Sequence, residues 1–153
     1  FDPIGGYKHP DHIAIHRATV QAFQMAADAS ITSAHPPHQA GKLYFHIIPK
    51  GFLRLGVRVL RLFGQDPRRF GQNKDIDLLS LIEEGDFPTH AVIDYGKVAR
   101  QAEQAAACHA SQGGERMANG PARWIQRLLG LRDQFMRAYP EPAPGTVEKD
   151  LFA

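Results

Sequence analysis

The sequence has little cysteine, little net charge and no long apolar segment, and each shortage excludes a class of protein. The single cysteine, Cys108, can form neither an intrachain disulfide nor a cysteine-rich zinc site, which favours a reducing, cytoplasmic location. The 18 basic and 16 acidic side chains leave a formal charge of only +2, which argues against a nucleic-acid partner. Because no apolar run approaches the roughly 20 residues that cross a bilayer, the sequence predicts a soluble protein without a transmembrane segment.

The composition that remains is typical of a folded domain. Of the 153 residues, 43% are apolar and 22% are charged, which fits one globular domain or a large piece of one. The chain opens with Phe1-Asp2-Pro3 and then Gly5-Gly6, a pattern that resembles the end of a strand entering a glycine-rich loop. We therefore interpret residues 1–153 as a single domain whose beginning is missing.

Helical and strand patterns alternate along the chain. Apolar periodicity predicts helices at residues 11–29, 51–63, 77–84 and 95–111, a last helix carrying Trp124, Leu128, Leu131 and Phe135, and strands at residues 43–48 and 90–94. The first helix has only a narrow polar wedge and is expected to be mostly buried. The alternation favours an α/β architecture with a mainly parallel sheet. Two clear strands are few for such a sheet, which again suggests an incomplete domain.

The chemistry is concentrated in the sequence His9-Pro10-Asp11-His12. Proline favours the first position of a helix, so His9 is expected at the cap and His12 in the first turn. Histidine suits zinc, and a catalytic zinc usually has three protein ligands and an open position for water. His16 follows His12 by one helical turn, so these two side chains are a candidate ligand pair.

Each histidine also has a purely structural interpretation. A histidine at a helix N-terminus is often a surface or capping residue, and a lone His-x-x-His pattern is only weakly specific. For His16 we favour packing beside Phe23 with one satisfying hydrogen bond over metal binding.

Another candidate surface is the helix at residues 51–63, where Arg54, Arg58 and Arg61 line one side. This basic face could meet an anionic substrate or a membrane surface, although such faces are more often simply solvated.

A family resemblance is carried by residues 1–18, which follow the pattern FDPxGGYxHPDHxAxHRA. This stretch closely resembles the second signature of the PIG-L/LmbE-like zinc-dependent N-deacetylases. Residues 42–46, 108–112 and 148–152 are similar to later landmarks of that family and occur in the same order. The resemblance therefore covers the whole chain, and it identifies residues 1–153 as the C-terminal portion of an LmbE-like deacetylase domain.

The resemblance implies a Rossmann-like domain that binds Zn2+ or another divalent metal. One ligand would be the last histidine of the signature, His12, and the others would come from an Ala-His-Pro-Asp-Asp-Glu-like motif near the N-terminus of the family domain. The family pattern assigns His9 to stabilising the oxyanion, Asp11 to hydrogen-bonding and orienting His9, and Tyr7 to polarising the substrate carbonyl in some members. Residues that bind the rest of the substrate are not indicated.

The implied reaction is hydrolysis of an N-acetyl group from an N-acetylglucosamine-type sugar conjugate, which releases acetate and a free amine. No Ala-His-Pro-Asp-Asp-Glu-like segment occurs in residues 1–153, so this portion alone is expected to be inactive. The alternative is a catalytically inactive fragment or subunit that binds metal weakly through His9, His12 and His16, or that acts only as an interaction module. A third hypothesis is an unrelated small α/β binding domain. The sequence leaves homo-oligomerisation open.

Overall fold

The structure is a computed structural model that describes residues 1–71, 74, 76–84, 86–109 and 130–152. Its helices and strands are, in chain order, α1 (Gly5–Lys8), α2 (Pro10–Ala27), β1 (Leu43–Ile47), α3 (Lys50–Leu62), α4 (Leu78–Glu84), β2 (Ala91–Asp94), α5 (Ala99–Ala107) and β3 (Arg132–Tyr139). Single 3-10 turns occur at Pro67–Arg69 and Gly96–Val98. The chain divides into two compact units, one of Phe1–Ala91 with Gln134–Val147 and one of Val92–Asp133 with Glu148–Ala153. The predicted α/β class is confirmed.

The sheet differs from the predicted one. Its three strands lie in the order β1-β3-β2, and β1 runs antiparallel to β3, with Leu43 opposite Tyr139 and Ile47 opposite Gln134. The expectation of a mainly parallel sheet is thus wrong for these strands. The prediction failed at β3, because the segment around Leu131 and Phe135 was predicted as helix. A spacing of four residues is one helical turn but also an even number of strand positions, so it fits both structures.

The other half of that predicted last helix, with Trp124 and Leu128, lies outside the described residues. In the described half, Phe135 places its ring 6.5 Å from that of Tyr44 and 5.4 Å from that of His46. Cross-strand contacts of this kind are what stabilise a paired strand. Contacts with a segment some ninety residues away therefore decided the conformation of residues 132–139.

The core of the first unit lies between α3 and α4. Leu53 and Val57 of α3 and Leu78 and Leu81 of α4 form one buried cluster, and Leu81 is only 3% exposed. The carboxylate of Asp77 caps α4 by accepting hydrogen bonds from the backbone N–H groups of residues 79 and 80. The helix predicted at residues 51–63 is confirmed, but its predicted apolar side, which consisted of Phe52, Leu55, Val59, Leu62 and Phe63, is wrong. Leu53 and Val57 face the core, whereas Leu62 and Phe63 are 83% and 74% exposed.

Helix α2 has the predicted extent but not the predicted burial. None of its 18 residues is buried, and Ile15 and Met25 are 53% and 45% exposed. The prediction of a mostly buried helix is therefore wrong. An apolar stripe shows which side of a helix can be covered, but the contacts that reach α2 from other described segments cover none of its residues fully. One of these contacts joins the rings of Phe23 and Tyr139, whose centroids are 5.2 Å apart.

The second unit is built around β2 and α5. The N–H of Val92 donates to the carbonyl of Glu148 (2.8 Å), and that of Tyr95 donates to the carbonyl of Leu131 (2.9 Å). The predicted helix at residues 95–111 is a 3-10 turn followed by α5, and its end lies partly outside the described residues. Throughout the described part of the chain, no helix is both long enough and apolar enough to cross a membrane.

Candidate functional site

The loop before α2 is organised by a buried aspartate. Asp2 is only 2% exposed, and its Oδ1 accepts hydrogen bonds from the N–H groups of Ile4 (3.1 Å) and Gly6 (2.8 Å). Its carbonyl also accepts from the N–H of Gly5 at 3.0 Å. These bonds satisfy the buried carboxylate and close the turn. We did not single out Asp2 from the sequence, although Asp-Pro-x-Gly is a turn pattern that could have identified it.

Gly5 fixes how closely this turn approaches α2. Its φ of +70° lies in the left-handed region, and a Cβ at this position would lie 2.8 Å from Cγ1 and 2.9 Å from the backbone nitrogen of Ile13. Only glycine meets both the conformational and the steric requirement. The close approach brings the carbonyl of residue 5 next to the first turn of α2, where the histidines stand.

His9 caps α2 as the sequence predicts. Its backbone is extended, Pro10 occupies the first helical position, and Nδ1 accepts a hydrogen bond from the N–H of Asp11 at 3.2 Å. Because an accepting Nδ1 carries no proton, the proton of the neutral ring lies on Nε2, which is then a donor. The carboxylate of Asp11 lies 3.9 Å from the same Nδ1 and is 89% exposed. The backbone of Asp11, more than its carboxylate, therefore orients His9 here.

His12 is held in one tautomer. Its Nδ1 lies 3.2 Å from the carbonyl oxygen of Gly5, which can only accept, so Nδ1 carries the proton and Nε2 keeps its lone pair. The ring is stacked on Phe1 with centroids 3.8 Å apart and an interplanar angle of 7°. Within the described ranges no protein group hydrogen-bonds to Nε2. A histidine whose other nitrogen is tied to a carbonyl is oriented as metal-ligating histidines usually are.

Three of the four predicted site residues form one cluster of rings. The centroid of Tyr7 lies 5.7 Å from that of His9 and 5.0 Å from that of His12, and the two histidine rings are 4.9 Å apart. Lys8, between Tyr7 and His9, adopts a φ of 66°, and its Nζ lies 2.7 Å from a carboxylate oxygen of Glu84. This unusual backbone conformation turns both neighbours toward the same side. Asp11, the fourth residue, lies beside them on the surface.

His16 is also held by a hydrogen bond to a backbone carbonyl. Its Nδ1 lies 3.0 Å from the carbonyl oxygen of Phe1, and its ring lies 4.5 Å from that of Phe45. The predicted packing partner, Phe23, was wrong, because that ring faces Tyr139 instead. These contacts agree with the favoured interpretation of His16 as a packed, hydrogen-bonded histidine, and its Nδ1 bond is of the same kind as that of His12.

The metal-binding set is incomplete in the part of the chain that the structure describes. No group of three or more His, Cys, Asp or Glu side chains is placed there to hold a metal ion. Catalytic zinc takes three protein ligands and a water. His12 therefore fits the chemistry of one zinc ligand, whereas these residues do not supply a whole site.

A cavity of about 270 Å³ opens at the carboxyl end of β1. It is lined by residues 47–51 together with Asp86, Phe87, Thr89 and Gln134. Thr89 donates a hydrogen bond from Oγ1 to Oε1 of Gln134 (2.9 Å), and Nζ of Lys50 lies 3.6 Å from the carboxylate of Asp86. Ile48, one of the lining residues, also lies near the histidine loop, since its Cδ1 is 3.9 Å from where a Cβ of Gly6 would be. Sequence reasoning identified none of these lining residues.

Comparison with known proteins relates the chain to a set of deacetylases. No protein-family model matches it. Over its whole length it is 34% identical to the 1D-myo-inositol 2-acetamido-2-deoxy-alpha-D-glucopyranoside deacetylase of Thermobifida fusca, of which the match covers 53%. The protein of the same name from Streptomyces griseus is 31% identical over the whole chain, with 47% of that protein covered. The chain belongs to the PIG-L/LmbE-like family.

The match confirms the family that residues 1–18 indicated. Within the family, local identity is higher in places, reaching 40% over 72 residues with a deacetylase of Catenulispora acidiphila, which corresponds to 44% of this chain and 23% of that protein. The chain spans about half the length of the curated relatives it matches. This PIG-L/LmbE-like chain therefore corresponds to only part of such an enzyme.

Proposed function

We propose that this chain is part of a metal-dependent N-deacetylase that removes the acetyl group from an N-acetylglucosamine-type sugar conjugate. The observation that carries the proposal is the fixed tautomer of His12, whose Nε2 points its lone pair away from the Gly5 carbonyl. The names of the relatives support the substrate class, because their substrate is a 2-acetamido sugar linked to inositol. Hydrolysis of its amide would give acetate and a free amine.

In this proposal His12 donates Nε2 to a zinc ion, and the remaining protein ligands come from outside the described residues. When bound, such an ion acidifies a water molecule and polarises the acetyl carbonyl. The other groups of the cluster act on the substrate. With Nδ1 occupied by the N–H of Asp11, His9 offers its Nε2 proton to the oxygen that becomes negative during attack.

Tyr7 is the second proposed donor to that oxygen, since its ring lies beside both histidines. Loss of one such hydrogen bond typically lowers the rate on the order of 100-fold or more. Asp11 would orient His9, through its backbone N–H and through the carboxylate that lies 3.9 Å from Nδ1. The cavity at the carboxyl end of β1 offers hydroxyl, amide, ammonium and carboxylate groups that suit the hydroxyls of the sugar conjugate.

For the complete enzyme we propose the Rossmann-like domain with a mainly parallel sheet that the family resemblance implies. Residues 1–153 would contribute the C-terminal portion of this single domain. Zinc as the metal, a cytoplasmic location and the absence of a nucleic-acid partner stay predictions from the sequence. Homo-oligomerisation also stays open.

A second candidate function is that of a non-catalytic metal-binding or interaction module. It is favoured by one observation, namely that the described residues bring together no set of three metal-binding side chains. In this case His12 would bind metal weakly, and a protein of the relatives' full length would show no hydrolysis either.

The deciding experiment uses the gene product extended to the length of the relatives. We expect one bound zinc per chain and release of acetate from an N-acetylglucosaminyl inositol, and we expect His12→Ala to lose both. His16→Ala is the matched control, because it removes an imidazole one turn further along α2 whose Nδ1 is bonded to a carbonyl. Full zinc content and turnover in His12→Ala would refute the proposal. Strong turnover by residues 1–153 alone would refute the assignment of further ligands outside them.

A further inference from the structure

A cationic surface lies along the exposed part of α3 and the 3-10 turn that follows it. It consists of five exposed arginines, Arg54, Arg58 and Arg61 on α3 and Arg68 and Arg69 on the 3-10 turn that follows. Within the described ranges none of them forms an ion pair, whereas Lys8 and Lys50 in the same unit each have an acidic partner. These positive charges are therefore available to an external anion.

The charge is unevenly distributed along the chain. Residues 50–70 contain six basic side chains and one acidic side chain, a net charge of +5. The rest of the sequence contains twelve basic and fifteen acidic side chains, a net charge of −3. The overall charge of +2 thus hides a strongly basic segment, and a segment of this kind attracts anionic surfaces over distances of about one Debye length, roughly 8–10 Å.

Large apolar side chains stand among these arginines. Leu62, Phe63 and Phe70 are 83%, 74% and 42% exposed. Leu62 follows Arg58 by four residues, so the two are neighbours on the helix surface. The inward side of α3 is already used by Leu53 and Val57, which are buried against α4. A face that is merely solvated needs no exposed leucine and phenylalanine, and exposed apolar groups beside cations are typical of interfacial contacts.

We propose that this cationic surface docks the protein onto an anionic lipid bilayer. The planar guanidinium groups of the arginines pair with headgroup phosphates and carboxylates, for which their geometry is suited. Leu62 and Phe63, at the C-terminal end of α3, enter the interfacial region of the bilayer. Nucleic acid is the less suitable polyanion, because the chain as a whole carries little net charge.

The expected effects follow from the two kinds of contact. Each arginine near an anionic bilayer contributes a factor of about five to the partition coefficient, and reversing three charges should lower it more than about 100-fold. Removing the apolar surface of Leu62 and Phe63 should lower it by at least about tenfold while leaving the charge unchanged. The proposal uses none of the histidine cluster, so it stands or fails independently of the proposed hydrolysis.

The test is co-sedimentation of the 153-residue chain with vesicles of phosphatidylcholine, with and without phosphatidylserine. We expect binding only to the phosphatidylserine vesicles, weakened by added salt. The variant Arg54→Glu, Arg58→Glu and Arg61→Glu should not bind. The matched control is Arg17→Glu, Lys97→Glu and Arg100→Glu, which makes the same change in net charge at three exposed positions elsewhere and should bind nearly as the unchanged chain does. Circular dichroism melts verify that each variant is folded.

A separate variant, Leu62→Ser with Phe63→Ser, tests the apolar part and should bind at least about tenfold more weakly. If the arginine variant fails to fold, Arg54→Gln, Arg58→Gln and Arg61→Gln replace it with a smaller change in charge. The proposal is overturned if the unchanged chain ignores phosphatidylserine vesicles, or if the control variant loses as much binding as the arginine variant. Binding to polyuridylate without binding to vesicles would also overturn it.

Discussion

Helices α2 and α3 belong to the same unit and both have an apolar side, yet only α3 has buried residues. Helix α3 buries Leu53 and Val57 against α4, whereas α2, although longer, buries no residue. What α2 contributes comes from its first turn, where the loop around Gly5 approaches Ile13 and bonds to His12. The comparison shows that α3 builds the core of this unit, whereas α2 contributes the first turn of the candidate site. The two are linked, because Ile4 and Tyr7 of the site loop pack against that core. Substitutions in the core and in the loop measure the contribution of each.

The largest effect on the free energy of unfolding is expected in the core between α3 and α4. Leu81→Ala removes a side chain that is 3% exposed from the cluster between α3 and α4, and we expect the free energy of unfolding to fall by about 2–5 kcal/mol. Urea unfolding measures this change. Leu62→Ala, at a position that is 83% exposed, is the control and should change the free energy by less than about 0.5 kcal/mol. Equal losses in the two variants would contradict the core described for α3 and α4.

The next effect concerns the contact between the loop and α2. Gly5→Ala should lower the free energy of unfolding by about 1–3 kcal/mol, because it combines a φ of +70° with a Cβ less than 3 Å from Ile13. Gly145→Ala is the matched control, since Gly145 has a φ of +77° but nothing within 4 Å of its Cβ position. The difference between the two variants isolates the steric part. If the two losses are the same, the close approach to α2 does not exist in solution.

A somewhat smaller loss is expected at the buried carboxylate that holds the same loop. Asp2→Ala leaves the N–H groups of Ile4 and Gly6 without their acceptor and should cost about 1–2 kcal/mol of unfolding free energy. Asp2→Asn keeps a carbonyl oxygen that can accept both bonds, so it should lose clearly less. Nitrogen NMR of His12 should also show a weaker preference for the Nδ1 proton in Asp2→Ala. An unchanged tautomer and stability would show that Asp2 does not organise the site.

Local chemistry made part of this structure predictable. Pro10 after His9 sufficed to predict the helix start, the cap and the position of His12. The pattern of residues 51–63 predicted the helix α3 but not its inward side, because Leu53 and Val57 are buried and Leu62 is exposed. Contacts between distant segments were not predictable in the same way. The positions of Leu131 and Phe135 fit a helix and a strand equally well, and the partner of His16 proved to be Phe45, on a strand that nothing in the local sequence connects to it. The role of Asp2 was not predicted, because it depends on the hydrogen bonds that its carboxylate accepts from the backbone N–H groups of Ile4 and Gly6.

The smallest expected effect is on the apolar side of α2, where the sequence and the structure disagree most. Ile15→Gln and Met25→Gln replace side chains that are 53% and 45% exposed, and glutamine is a good helix former. We therefore expect each to change the unfolding free energy of the chain by less than about 0.5 kcal/mol, measured by urea unfolding at several protein concentrations. A loss above about 1 kcal/mol that grows with concentration would mean that copies of the chain cover this face in solution. A similar loss without concentration dependence would mean that α2 packs within the chain as α3 does, and the contrast between the two helices would disappear.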